Sequence, residues 1–160
     1  MRGRITISLN NSKATASRAV SRKTRLSGKA EKSSVDLKCT GEHITITANE
    51  GMLSEIIYNL ADNAIKYNTA GGYVNVRVGR ENGKTVITVS DSGIGIPAEH
   101  QQHIFERFYR VDKSRSKQRG GTGLGLSIVK HIVNSMNGNI DLRSVPEQGT
   151  EIKVTLPLKK

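Results

Sequence analysis

One amphipathic helix constrains the fold of this chain more than any other segment. In the stretch MLSEIIYNLADNAIKYN, residues 52–68, apolar side chains recur at the i, i+3, i+4, i+7 spacing of a helix with one buried face. These apolar positions are Met52, Leu53, Ile56, Ile57, Leu60, Ala61, Ala64 and Ile65. Asn49 is predicted to cap the helix, and Glu50 in the first turn suits the helix dipole. We therefore expect a long helix around which the rest of the chain is organised.

The polar side of this helix is unusual. Glu55, Asn59 and Asn63 follow one another at steps of four, and Lys66 comes three residues later, so the four side chains form one stripe. Asn in a helix costs roughly a few tenths of a kcal/mol relative to Ala, so two of them favour a functional role. An amide oxygen can complete the coordination of a Mg²⁺ ion, and Lys66 can contact its phosphates. A helix that simply carries two exposed Asn is the alternative.

The basic charge of the chain is concentrated near its start. The formal net charge is +11, and residues 1–38 hold ten Lys or Arg against Glu31 and Asp36, which makes +8 of that total. A second basic cluster, within residues 107–119, adjoins a glycine-rich stretch and suits a triphosphate as well as a polynucleotide. The sequence lacks interleaved aromatic residues and helix-turn-helix or zinc-finger spacing. Nucleic-acid binding is therefore a minor alternative, and we expect no nucleic-acid partner.

Length and composition fit one domain. The 160 residues are 35% hydrophobic with no Trp, which is typical of an ordinary soluble protein. The sequence offers no apolar run of signal-peptide length, and no segment approaches the ~20 apolar residues of a membrane helix. The single Cys39 rules out an internal disulfide and a Cys-based zinc site. We expect a cytoplasmic domain with a structural thiol.

The first 32 residues are the least regular part of the sequence. Residues 4–9 alternate like a short strand, and residues 11–32 are polar, basic and Ser-rich with only a weak helical stripe. We interpret residues 11–32 as a marginal helix or partly disordered leader, interrupted near Gly28.

Alternating apolar and polar residues predict the remaining strands. They cover residues 34–38, 43–47, 73–79, 85–90, 139–143 and 150–156. Turns are predicted at residues 40–41, 81–84 and 146–149. A short helix is predicted at residues 98–110, with Ile104, Phe105 and Phe108 on its apolar side. Residues 111–119 show no apolar periodicity, and we expect them to be mobile.

Two glycine-containing loops stand at the ends of predicted elements: the first follows a strand, and the second precedes a helix. Asp91 ends the strand at residues 85–90, and the DSGIGIP loop that follows carries two glycines two residues apart. Such a loop allows a ligand to approach the backbone closely. Residues 120–126, GGTGLGL, open a helix at residues 127–133, so unpaired backbone N–H groups can cradle phosphate there. Gly138 is predicted to end that helix.

Four of these segments occur together in a recognisable order. They are NLADNAIKY at 59–67, DSGIGIP at 91–97, FERFYR at 105–110 and GTGLGL at 121–126. The set closely resembles the N, first glycine, F and second glycine boxes of the catalytic, ATP-binding domain of bacterial sensor histidine kinases. Each box alone is modest, whereas their joint occurrence is specific, and the resemblance covers about residues 33 to 158.

The resemblance implies an α+β fold, the Bergerat-type ATP-binding sandwich. In that fold a mixed, mostly antiparallel sheet carries helices on one face, and a mobile ATP lid is expected to span about residues 98 to 122. Residues 33–160 would form the ATP-binding catalytic domain. Residues 1–32 would be a basic leader or the remnant of a linker to a dimerisation domain.

The resemblance also implies roles for Asn59, Asn63 and Lys66 of the polar stripe and for the adjacent Tyr67. Asn63 resembles the Mg²⁺ ligand, acting through its amide oxygen, and Asn59 would line the same phosphates. Lys66 and Tyr67 would contact phosphate and nucleotide. Asn59, Lys66 and Arg110 are the expected catalytic residues, and the expected cofactors are ATP and Mg²⁺.

The first glycine box is expected to hold the base. Asp91 resembles the carboxylate that accepts a hydrogen bond from the exocyclic amine of adenine, a contact that guanine cannot make because it presents a carbonyl there. Gly93 and Gly95 would let the base approach, and Ile96 would adjoin the nucleotide.

The lid is expected to cover the phosphates. Arg110 of the F box is the best candidate to contact the γ-phosphate, whereas Phe105 and Phe108 are predicted to pack the lid onto the body. The second glycine box would close over the phosphates through Gly121, Thr122, Gly123, Leu124, Gly125 and Leu126.

Phosphoryl transfer is favoured over hydrolysis. Related ATPases have a water-activating Glu one turn before the Mg²⁺-binding Asn, where this chain has Asn59, which cannot accept a proton. Glu55 is an alternative base, but it lies one further turn back, about 5.4 Å along the helix axis.

The phosphate acceptor is expected on another domain. His43, His100, His103 and His131 are the histidines of the chain, and none lies in a His-Glu-x-x-x-Pro type box. We therefore expect the isolated domain to autophosphorylate little or not at all. Its phosphoryl group would be transferred to a His on a separate dimerisation domain, and a response regulator would be an indirect partner. The fragment is expected to be a monomer, cytoplasmic, from a membrane-anchored parent kinase. The alternatives are a stand-alone ATPase, an anti-sigma-factor type serine kinase and a purely nucleotide-binding module, and the FERFYR box favours the histidine kinase.

Overall fold

The computed structural model describes residues 3–7, 17–42, 44–112 and 120–157. Its strands are β1 Gly3–Ile7, β2 Asp36–Gly41, β3 Ile44–Ala48, β4 Tyr73–Glu81, β5 Lys84–Asp91, β6 Asn139–Val145 and β7 Gly149–Leu156. Its helices are α1 Ser17–Lys32, α2 Glu50–Lys66, α3 Ala98–Gln101 and α4 Gly125–Ser135. None of the helices within these described ranges is long and apolar enough to cross a membrane.

Five strands form one mixed sheet, in the order β2-β4-β5-β7-β6. β2 runs parallel to β4, and the other three neighbouring pairs are antiparallel. The predicted hairpin between β4 and β5 is present, and Asn82 in its turn has a φ of 50°. The mixed, mostly antiparallel sheet implied by the resemblance is confirmed.

The helices share one face of this sheet. α2 packs on β4 and β5, while α1 contacts α2 and β2, and α4 contacts α2 and β6. The sheet side of the core consists of Val74, Val76, Val78, Ile87, Val89, Ile152, Val154 and Leu156. Because alternate residues of a strand point to opposite faces, these valines and isoleucines line one side.

α2 has the predicted caps and buried face. The Oδ1 atom of Asn49 accepts a hydrogen bond from the Met52 backbone N–H at 3.3 Å. The residues that α2 buries are Leu53, Ile56, Leu60, Ala61, Ala64 and Ile65. Burying a side chain such as Ile56 or Leu60 contributes about 1.5–3 kcal/mol. Met52 differs from the prediction, since it is 39% exposed at the edge of the apolar face.

α1 is continuous and packs on α2, so the predicted interruption near Gly28 is wrong, whereas the predicted division of the chain at residue 32 stays a prediction. Leu26 and Ala30 are buried in the same core cluster as α2, and Lys29 forms an ion pair with Asp62 of α2. Glycine inside a helix costs only about 1 kcal/mol relative to Ala. The tertiary contacts on both sides of Gly28 offset that cost.

β1 and β3 form a separate two-stranded antiparallel sheet. Backbone pairing places Ile5 opposite Ile46, so part of the predicted leader contributes a strand to the fold. The turn predicted at residues 40–41 is wrong, because Thr40 and Gly41 lie in β2 and pair with Arg77 and Val78 of β4. β2 and β3 therefore diverge into different sheets.

The helix predicted at residues 98–110 is much shorter. α3 ends at Gln101, and turns follow it, with hydrogen bonds from the His103 N–H to the His100 carbonyl and from Glu106 to His103. Phe108 has a left-handed φ of 63°, which a helix cannot contain. Phe108 is also 68% exposed, so its predicted packing role is wrong, and Ile104 is the buried residue of this segment.

α4 begins at Gly125, two residues before the predicted start. Its C-terminal left-handed residue is Asn137, with a φ of 54°, rather than the predicted Gly138. The Gly138 N–H donates to the Val133 carbonyl at 2.9 Å, which closes the helix end.

Candidate functional site

A cavity of about 760 Å³ lies between α2, the loop after β5, the segment after α3 and the N-terminus of α4. Of the residues predicted for the site, it is lined by Asn59, Asn63, Lys66, Tyr67, Asp91, Gly95, Ile96, Arg110, Gly121, Thr122, Gly123, Leu124, Gly125 and Leu126. Gly93 is the predicted residue that does not line it. All four sequence segments, from NLADNAIKY to GTGLGL, thus contribute residues to one cavity.

The polar stripe of α2 forms one wall. The Asn59 Nδ2 atom donates to the Glu55 backbone carbonyl at 2.9 Å and to the Glu55 carboxylate at 3.0 Å. This pairing holds the amide so that its Oδ1 faces away from Glu55, and a Cβ added to Gly125 would lie 3.1 Å from that oxygen. The Asn59 amide oxygen therefore meets the start of α4, whereas Glu55 is not among the residues that line the cavity.

Asp91 lies at the opposite end, where β5 leaves the sheet. Its carboxylate accepts a hydrogen bond from the Gly93 N–H at 2.8 Å and another from the Thr150 N–H. Burial raises the pKa of Asp91 above its ordinary value, and these two backbone hydrogen bonds only partly counteract the burial. The wall of the cavity thus holds a half-buried acceptor fixed by two backbone donors.

The loop after Asp91 is held by the protein itself. A Cβ on Gly93 would lie 2.3 Å from the Tyr67 carbonyl oxygen, and the Ile94 N–H donates to that same oxygen at 3.0 Å. Gly95 has a φ of 68°, and a Cβ there would lie 2.1 Å from the Val145 carbonyl oxygen. Both glycines are therefore required by close contacts within the chain, and the ligand approach that the sequence suggested stays a prediction.

The glycine-rich loop is joined to the segment after α3. The Phe108 N–H donates to the Gly123 carbonyl at 2.9 Å, and the Ser127 hydroxyl donates to the Leu124 carbonyl at 2.7 Å. The Ile128 N–H donates to the Leu124 carbonyl at 2.9 Å. The N–H groups of the first turn of α4 have no partner within the helix, and they give the cavity a partly positive end suited to anions.

Residues 48–160 of the chain match the family described as histidine kinase-, DNA gyrase B- and HSP90-like ATPases. The chain belongs to this family. Over 112 residues it is 45% identical to the sensor-like histidine kinase SenX3 of Mycolicibacterium smegmatis, which covers 70% of this chain and 29% of SenX3. The chain thus spans less than a third of that relative's length.

Two solved structures share the fold. The mycobacterial sensor histidine kinase MprB superposes with a TM-score of 0.77 at 24% identity, over 99% of both chains. Full-length ShkA in complex with AMPPNP superposes with a TM-score of 0.79 at 25% identity, over 98% of this chain and 31% of ShkA. The chain is the ATP-binding catalytic domain of a sensor histidine kinase.

The donor set of this histidine kinase domain suits Mg²⁺. Within the described ranges, no group of three His, Cys, Asp or Glu residues could hold a metal ion. The polar stripe instead offers the amide groups of Asn59 and Asn63 to the cavity. Mg²⁺ prefers oxygen ligands and keeps phosphate and water in its shell, so amide oxygens beside a triphosphate fit it.

Sequence reasoning missed several residues that line the cavity in this kinase domain. They include Asp62, Val89, Ile104, Ile128, Thr150 and Ile152. Thr150 lies opposite Asp91 in the β5–β7 register, which a single sequence does not reveal. Asp62 directly precedes the predicted site residue Asn63. An acidic residue on the polar side of α2 was the sequence feature that could have indicated its place in the cavity.

None of the described histidines lines the cavity. His100 is hydrogen-bonded through Nδ1 to the Tyr109 hydroxyl at 2.6 Å, and His103 through Nδ1 to Glu106 at 2.7 Å. His131 is exposed on α4. His43 lies outside the described residues.

Proposed function

We propose that this domain binds Mg²⁺-ATP in the cavity and donates the γ-phosphoryl group to a histidine on a separate dimerisation domain. The observation that carries the choice of transfer over hydrolysis is Asn59. The Asn59 amide lies one helical turn before Asn63. The carboxylate that precedes it on α2, Glu55, accepts a hydrogen bond from the Asn59 amide and does not line the cavity.

The adenine would lie at the Asp91 end. The Asp91 carboxylate is already fixed by backbone N–H donors, so its remaining acceptor capacity can take the exocyclic amine of adenine. Val89 and Ile152 provide apolar surface beside it. A half-buried acceptor such as Asp91 favours a base that presents a donor and disfavours one that presents a carbonyl, because two acceptors would oppose each other.

The triphosphate would lie between the stripe and the start of α4. Mg²⁺, held by the phosphates with the amide oxygen of Asn63, would neutralise part of their charge. Lys66 would contact the phosphates as a point charge, and Arg110 would reach the γ-phosphate with its planar guanidinium. The N–H groups at the start of α4 would cradle the remaining phosphate oxygens.

An amide rather than a carboxylate one turn before Asn63, at Asn59, disfavours hydrolysis. An amide cannot act as a general base, so a water molecule near the γ-phosphate would attack slowly. The phosphoryl group would then be retained for an acceptor supplied by another domain. Since the chain spans only part of its sensor kinase relatives, a dimerisation domain and, through it, a response regulator are the proposed partners.

The decisive experiment mixes the domain with a matching dimerisation domain and labelled ATP. We expect label on the box histidine of that domain, little label on this chain alone, and none on a dimerisation domain whose box histidine is replaced. Rapid phosphate release without acceptor would indicate an ATPase. Label on a Ser would indicate a serine kinase, and nucleotide binding without any transfer would indicate a binding module. Each of these three results would overturn the proposal.

Replacing Asn63 by Asp is expected to reduce the Mg²⁺-dependent part of ATP affinity about ten-fold. A carboxylate at this position adds a negative charge beside the triphosphate and changes the donor set of the ion. Calorimetric titration of ATP with and without Mg²⁺ measures the effect. Asn134→Asp makes the same chemical change at an exposed position of α4 and should leave both affinities unchanged, whereas an unchanged Mg²⁺ dependence in Asn63→Asp would remove Asn63 from the site.

A further inference from the structure

Two lysines from different helices share one carboxylate at the edge of the cavity. The Asp62 side chain, 13% exposed, accepts from Lys66 of its own helix through Oδ2 at 3.0 Å. Its Oδ1 pairs with Lys29 of α1. Asp62 therefore links α1 to the lysine that the cavity wall contributes.

Lys66 is close to the glycine-rich loop. A Cβ added to Gly121 would lie 3.6 Å from the Lys66 Nζ atom, and both residues line the cavity. An anion held by that loop and the Asp62 carboxylate would both attract the Lys66 ammonium group. The strength of the ion pair between Asp62 and Lys66 thus affects how readily Lys66 binds an anionic ligand.

Lys29 is held in place by more than Asp62. Its Nζ donates to the Tyr58 hydroxyl at 3.1 Å and lies 5.5 Å from the centroid of the Tyr58 ring. One residue along α1, Ala30 is buried in the core. Lys29 consequently stays beside Asp62 as long as α1 is seated on α2.

We propose that Lys29 is a positioning residue for the phosphate end of the site: by neutralising Asp62 it keeps Lys66 available for the nucleotide phosphates. The seating of α1 on α2 then tunes ATP affinity. This inference rests on the proposed function, in that a triphosphate occupies the end of the cavity near Gly121.

The sign of each substitution follows from charge. With Lys29 removed, Asp62 has Lys66 as its remaining described cationic partner and adds an uncompensated negative charge near the phosphates, so ATP should bind more weakly. With the Asp62 charge removed, both lysines are released from it and ATP should bind more tightly. A purely structural role would weaken binding in both variants.

The test compares ATP and adenosine affinities of the whole chain by calorimetry. Partly exposed ion pairs have small energies, so we expect Lys29→Gln to weaken ATP binding about two- to five-fold while adenosine affinity is unchanged. Asp62→Asn should strengthen ATP binding by a similar factor. Lys29→Arg should keep wild-type affinity, and Lys29→Gln should have no further effect in an Asp62→Asn background.

Lys32→Gln is the matched control, since it removes the same charge from an exposed position at the end of α1. Equal losses in Lys29→Gln and Lys32→Gln would overturn the proposal, because they would show only a long-range charge effect. A parallel loss of adenosine affinity would overturn it as well. Failure of the proposed function would be distinct, since the wild-type chain itself would then bind ATP no more tightly than adenosine.

Discussion

Replacing Asp91 by Asn is expected to reduce ATP affinity by about ten- to hundred-fold, since leaving a buried polar group without a proper partner costs about 1–3 kcal/mol. The Asn oxygen can keep the hydrogen bond from the Gly93 N–H. Its NH₂ group then faces either the Thr150 N–H or the adenine amine, and both of these are donors. Donor opposes donor in either orientation, which is why a nearly isosteric change has a large effect.

Competition titrations of ATP against GTP measure this prediction. The wild-type domain should prefer ATP, and Asp91→Asn should lose most of that preference. Asp36→Asn removes a carboxylate from an exposed position on β2 and should change neither affinity. Equal affinity of the wild-type domain for both nucleotides would contradict the role of Asp91.

The raised pKa of Asp91 gives the same pair of proteins a second measurement. Because burial makes the folded-state pKa higher than the unfolded one, the folded protein binds more protons between the two values. The contribution of Asp91 to stability is therefore largest below the unfolded pKa and falls as the pH rises through the folded pKa. Urea unfolding without nucleotide should show wild type losing stability relative to Asp91→Asn over that pH window, and parallel pH curves would contradict it.

Replacing Gly95 by Ala is expected to destabilise the domain by about 3 kcal/mol, from left-handed backbone strain and overpacking together. Gly95 has a φ of 68°, and the added Cβ would lie 2.1 Å from the Val145 carbonyl oxygen. Relief would require the loop after β5 to separate from the β6–β7 turn. That movement would displace Ile96, whose N–H donates to the Ser144 hydroxyl at 2.8 Å, so ATP affinity should fall as well.

Gly79→Ala is the matched control for this substitution. Gly79 lies in β4, and a Cβ there would meet no atom within 4 Å. Its free energy of unfolding should stay within about 0.5 kcal/mol of wild type. Urea denaturation of both variants decides the matter, and a Gly95→Ala protein as stable as Gly79→Ala would show that the loop can relax at little cost.

The segment between α3 and α4 shows where sequence patterns mislead. Ile104, Phe105 and Phe108 have helical spacing, yet Phe108 takes a left-handed backbone conformation and donates its N–H to Gly123. That hydrogen bond is made to a residue 15 positions away in the sequence. Local periodicity carries no information about such a partner, so the pattern predicted a helix that tertiary bonding replaced.

The sequence by itself determined the elements whose stability is local or periodic. The apolar spacing of α2, its Asn49 cap and the β4–β5 hairpin are readable because the interacting residues lie within one or two turns of each other. The candidate site was equally readable at the level of residue type, since Asn59, Asn63 and Asp91 stand in segments with unusual composition.

Only the tertiary structure decided what depends on contacts between distant residues. These include the continuity of α1 across Gly28, the placement of β2 beside β4, the proximity of Thr150 to Asp91 and the sharing of Asp62 by Lys29 and Lys66. The physical reason is that each arises when separate elements pack on the same sheet, and the free energy of that packing outweighs weak local preferences.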